Sequence, residues 1–111
     1  MKTFEIETED GKQKLYFAIG KYPNKRILIK LIDANDEMSL VTVSHNFPDA
    51  DVPEDGYFHA KYWSENNDIF MRLLRSGVII PHKKEKESFY FSDKLMNRIC
   101  PMEFRINPEY L

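Results

Sequence analysis

One cysteine, four glycines and one tryptophan are all that this 111-residue chain holds of three informative residue types. A lone Cys100 cannot close an internal disulfide, and one thiolate cannot supply a zinc-binding cluster, so nothing calls for an oxidising compartment or a cysteine-built metal site. Gly11, Gly20, Gly56 and Gly77 each fall where the pattern wants a turn or a helix stop. None is left for a phosphate-cradling loop, so no nucleotide or dinucleotide cofactor is expected. Long apolar runs are missing as well. The longest are pieces such as Val78-Ile79-Ile80, against the roughly 18 to 20 residues a membrane-crossing helix needs. The first residues alternate apolar with acidic from Phe4 to Glu7, without the apolar centre or small-residue cleavage site of a signal peptide. The expected location is the cytoplasm.

Charge of one sign is scarce too. The net charge is -2 and the pI about 5.9, which fits neither a basic nucleic-acid binder nor a strongly acidic DNA mimic. Residues 1–70 carry 8 Lys and Arg against 13 Asp and Glu, and residues 71–111 carry 8 against 5. That asymmetry is too small to name a partner. The length suits one domain with its own core.

What is present reads first as strands. Phe4, Ile6 and Thr8 alternate with acids, Asp10-Gly11 supplies a turn, and Leu15, Phe17 and Ile19 resume the period of two, which predicts a hairpin. Gly20 to Asn24 predicts a second turn. Arg26 to Ile32 is apolar on both faces and predicts a central strand, followed by a fourth strand from Met38 to His45 and a fifth from Tyr57 to Tyr62. The period then changes. Ser64 is expected to cap a helix spanning 64–76 whose apolar face carries Ile69, Phe70, Leu73 and Leu74, with Gly77 as a left-handed stop. Val78 to Ile80, Phe89 to Phe91 and Met102 to Ile106 predict short strands, and Ser92 to Arg98 a helical turn. The fold class expected is α+β: an antiparallel sheet of five to seven strands with one main helix packed on one face.

Chemistry-bearing constellations are few. His45, His59 and His82 follow no metal-binding spacing, so no metal is expected. Cys100 beside a distant histidine is the only formal route to a thiol nucleophile, and nothing local would lower the thiol pKa; a small, buried apolar role is the expectation. The acidic loop from Asn46 to Asp55 does not meet the calcium-loop pattern, since Glu54 and Ala60 stand where glycine and glutamate are required. It reads as a solvated loop. His82 to Glu87 has nearly cancelling charges and reads as a solvated tip. The segment Tyr57 to Trp63 is richer. Alternation puts Tyr57, His59, Lys61 and Trp63 on one face and Phe58, Ala60 and Tyr62 on the other. Such a mixed aromatic and polar face is the candidate partner-binding site, through interface anchors or by stacking unpaired bases.

At Leu31-Ile32-Asp33, Leu40-Val41-Thr42-Val43 with Asn46, Glu54-Asp55-Gly56-Tyr57, Ser64-Glu65-Asn66 and Leu73-Leu74-Arg75-Ser76-Gly77-Val78, the chain resembles a family of small uncharacterised proteins. That family belongs to conjugative elements and phages of gut bacteria. The resemblance spans residues 27–80 with an echo from Cys100 to Asn107, and departs at Asn35 to Glu37 and at 82–92. It implies no catalytic residues. What it implies is a mobile-element accessory role, with inhibition of a host defence nuclease as one form. The expectation is therefore a non-enzymatic protein-binding module with no cofactor and no membrane association. The alternatives are a single-stranded nucleic-acid binder through Tyr57, His59, Lys61 and Trp63, and a small hydrolase or transferase using Cys100 or His59.

Overall fold

A computed structural model of the chain describes residues 2–83 and 100–111. The expected strand at Phe89 to Phe91 and the helical turn at Ser92 to Arg98 lie outside them. Alternation in the first third becomes a four-stranded antiparallel sheet in the order β1 (Phe4–Thr8), β2 (Gly11–Lys21), β3 (Ile27–Asp33) and β4 (Ser39–Thr42). The register sets Phe4 opposite Leu15, Phe17 opposite Leu31 and Leu31 opposite Val41, so these residues share the core face. Glu5 and Lys14 face each other on the outer side, as opposite charges should. Tyr16 and Ile32 are paired on that outer side too, yet both are buried, and the Tyr16 hydroxyl donates to the Glu37 carboxylate from the turn after β3.

Two local expectations change. Gly20 does not make a turn: β2 runs through it to Lys21, and Lys25, with φ 70°, takes the left-handed position instead. Hydrogen bonds from the Tyr22 N–H to the Arg26 carbonyl and from the Lys25 N–H to the Tyr22 carbonyl, both 2.8 Å, close that turn. Ser64 is likewise no helix cap. Its φ is 57°, outside the extended region a capping residue needs, and it opens a single 3-10 turn (Ser64–Asn66) before the helix α1 (Asn67–Arg75) begins.

The other end of α1 follows the sequence. Gly77 takes φ 74°, its N–H donates to Leu74, and the Val78 N–H donates to Leu73, a Schellman stop. The chain then enters β6 (Ile79–Pro81), which pairs with β7 (Glu103–Ile106); β7 pairs on its other side with β5 (Phe58–His59). The described residues thus hold one α-helix and seven strands in two antiparallel sheets, four-stranded and three-stranded, where one sheet of five to seven strands was expected.

The break between the sheets has a visible cause. At Ser44 a side chain replaces the ladder: the Ile29 N–H donates to Ser44 Oγ at 2.9 Å, while the Ile29 carbonyl takes the Val43 N–H at 2.8 Å. β4 ends just before this point, at Thr42, and a single bridge from Ser44 to Ala60 links the chain to the second sheet. Phe70, Leu73 and Leu74 of α1 close the core against this surface. Phe70 meets Phe104 edge-on at 5.0 Å in a cluster that also contains Phe4, Leu15, Leu31 and Phe58.

Candidate functional site

The segment from Phe58 to Lys61 is the seam of the molecule. The His45 N–H donates to the His59 carbonyl at 2.9 Å, the Lys61 N–H to Val43 at 2.7 Å, and the Ala60 N–H to Met102 at 3.1 Å. These bonds fix the alternation read from the sequence. Phe58, Ala60 and Tyr62 point into the core at 2%, 0% and 3% exposure. Tyr57, Lys61 and Trp63 are partly buried on the opposite face.

His59, placed by sequence on the candidate partner-binding face, is only 6% exposed. The reason lies in the loop 46–57, which folds back across it. Arg26, at the start of β3, gathers the loop backbone: its Nη1 donates to the Phe47 carbonyl at 2.8 Å and its Nη2 to the Ala50 carbonyl at 2.5 Å. Asn24 Nδ2 adds a bond to Asn46 Oδ1 at 3.0 Å. At the far end of the loop, the Glu54 N–H donates to Glu103 Oε1 at 2.9 Å and the Glu54 carboxylate faces His82 Nε2 at 3.4 Å.

Held this way, Phe47 becomes a hub. Its ring lies 5.5 Å from His59, 4.7 Å from His45 and 6.1 Å from Trp63, and His45 meets Trp63 at 5.1 Å. Tyr57 belongs to a separate cluster, 4.6 Å from the His82 ring with the Arg105 guanidinium 6.0 Å above it. The four residues predicted as one face are therefore divided: His59 lies beneath Phe47, Tyr57 stands apart, and Trp63 is joined by His45 and Phe47. Those two were missed. Their spacing of two, next to Pro48, was the available signal that they share a side.

Charges around the cluster are largely committed. Lys61 Nζ sits 2.5 Å from Glu65 Oε1, and hydrogen bonds from Lys61 and then Ser64 hold the Glu65 carboxyl down to about 2. Lys61 is accordingly paired with a carboxylate at any pH near neutral. Burial of the His45 ring, and then the Lys61 charge, push the His45 pKa below its ordinary 6.5, so its imidazole is neutral at pH 7.

Beside the cluster, and sharing His45 and His59 with it, lies a cavity of about 350 Å³ between the β2–β3 turn and residues 52–59. Among the described residues its lining contains no serine, threonine or cysteine. Cys100 lies elsewhere: its backbone N–H and C=O are both bonded to the Tyr62 hydroxyl, at 3.1 and 3.0 Å, and no hydrogen bond among the described residues involves its thiol. Comparison with known protein families, curated proteins and solved structures finds no match to this chain.

Proposed function

We propose that this chain is a protein-binding module that docks a partner on the His45, Phe47 and Trp63 cluster and performs no covalent chemistry. The observation that carries this is the cluster itself. The Phe47 and Trp63 rings are half-buried and the exposed His45 ring touches both, on a face braced from behind by β5 and from the side by Arg26. Rigid aromatics of this kind are the usual anchors of an interface, because they bring large contact area at little entropic cost.

Nucleic acid fits the same face less well. Stacking platforms work together with free cations that follow the phosphate backbone. Here Lys61 is paired with Glu65, and the neighbouring loop carries Asp49, Asp51, Glu54 and Asp55, which would repel a polyanion. A catalytic reading has one observation behind it: His59 and Glu103 are register partners on β5 and β7, both buried, with His59 lining the cavity. What disfavours it is that, among the described residues, the lining offers no hydroxyl or thiol nucleophile besides tyrosine. The resemblance to mobile-element proteins makes a host defence nuclease the first class of partner to test.

The test is recovery of tagged protein from an extract of bacterial cells, followed by washes of rising salt. A protein partner held by aromatic contacts stays bound to roughly 0.5 M salt, whereas phosphate-dominated binding weakens by orders of magnitude over that range. Recovery of nucleic acid alone, released by salt, would refute the reading.

A further inference from the structure

The cavity beside the aromatic cluster has a distinct chemistry of its own. One wall is the β2–β3 turn, where the left-handed Lys25 and the hydrogen-bonded closure from Tyr22 to Arg26 bring Lys21, Lys25 and Arg26 to the same opening. The other wall is residues 52–57 of the folded-back loop, with Phe58 and Ile27 supplying apolar surface. At about 350 Å³ the space lies at the small end of ligand-sized sites, room enough for a side chain and the backbone that presents it.

The charges of this lining are unequally employed. Arg26 is spent on loop carbonyls, which hold its guanidinium in the wall without neutralising it. Glu54 faces His82. Among the described residues, Lys21 and Lys25 lie within ion-pairing distance of no carboxylate, so the lining holds two lysines outside any ion pair. Three cations against two carboxylates give the lining a formal charge of +1, in a molecule of net charge -2. A lining that combines two lysines with apolar surface suits a group with a short aliphatic stem and a terminal carboxylate. Because the cavity and the aromatic cluster share His45 and His59, one bound segment could occupy both.

We infer that the cavity receives an acidic side chain, glutamate or aspartate, of the protein that docks on the Phe47 and Trp63 cluster, with Lys21 and Lys25 binding its carboxylate. This rests on the protein-binding reading above. A polyphosphate chain is a poor alternative occupant, since the lining also carries the carboxylates of Glu54 and Asp55.

The experiment needs no identified partner. Isotope-labelled protein is titrated with the blocked dipeptides acetyl-Phe-Glu-amide, acetyl-Phe-Gln-amide and acetyl-Phe-Lys-amide, and with inorganic phosphate, while the backbone amides of Ile27, His45 and Gly56 are followed by NMR. The expected result is saturable shifts at these amides with the Glu peptide, roughly fivefold tighter than with the Gln peptide and weakest with the Lys peptide. A Lys21→Gln/Lys25→Gln variant that keeps the native spectrum should lose the preference for Glu over Gln. Equal binding of the Glu and Gln peptides, an unchanged preference in that variant, or phosphate binding as tight as the Glu peptide would overturn the assignment. A clear Glu preference with no protein recovered from extracts would count against the protein-binding reading and against the partner named here, but not against the carboxylate chemistry. A recovered protein without any Glu preference would overturn the cavity assignment alone.

Discussion

Ser44 shows how one hydroxyl can shape a fold. It is 2% exposed, accepts the Ile29 N–H at 2.9 Å, and lies 3.1 Å from the Tyr22 hydroxyl, so it replaces a ladder bond just past the end of β4. Ser44→Ala leaves the Ile29 N–H buried without that partner, and the expected loss is about 1–3 kcal/mol in urea unfolding, with an unchanged m-value. His45 gives a second test at this scale. Its folded pKa is depressed below 6.5, so between that value and the folded pKa the unfolded chain binds the proton and the folded chain does not. Its contribution to stability is therefore full above pH 6.5 and is lost as acid takes the pH down through the folded pKa. Trp63 is the only tryptophan and its ring contacts His45, so its fluorescence reports the same event. The quenching expected from imidazolium should have a midpoint below pH 6.5 and vanish in His45→Gln. A midpoint above 6.5 would contradict the assigned environment.

Among the elements, glycine separates two cases that look alike in sequence. Gly77 needs φ 74° to stop α1, whereas Gly20 lies within β2 at negative φ with open space where a Cβ would go. Gly77→Ala should cost about 1 kcal/mol, and Gly20→Ala should be neutral or stabilise by about 0.5 kcal/mol, both read from denaturation midpoints. The helix stop was legible in the sequence because a Schellman motif is built from residues adjacent in the chain. So were the β1–β2 hairpin, the core-facing Phe58, Ala60 and Tyr62, and the apolar face of α1, each expressed in a local period. Ser64 was not. Its capping chemistry depends on an extended backbone, and the left-handed turn into the 3-10 segment removes it.

For the molecule as a whole, the decisive contact joins residues more than twenty positions apart. Arg26 and Asn24 on the β2–β3 turn hold the loop from Asn46 to Ala50, and that loop places Phe47 over His59. No local pattern in the sequence encodes this, which is why the predicted face included a histidine that the fold covers and omitted the phenylalanine that covers it. Arg26→Gln should release the loop: amide hydrogen exchange across 46–57 should accelerate while β1 and β2 keep their protection. Uniform acceleration would mean that Arg26 supports the global fold instead.

Binding through the aromatic cluster is the claim on which the functional account turns, and its most direct measurement is partner recovery by surface variants. Phe47→Ala and Trp63→Ala are compared with wild type and with Met38→Ala, an exposed apolar residue before β4, all with retained thermal unfolding transitions. The account predicts that one protein is recovered equally by wild type and Met38→Ala, and that each cluster variant weakens it by roughly thirtyfold, the effect of losing an interface anchor. Equal recovery by all four proteins would contradict it.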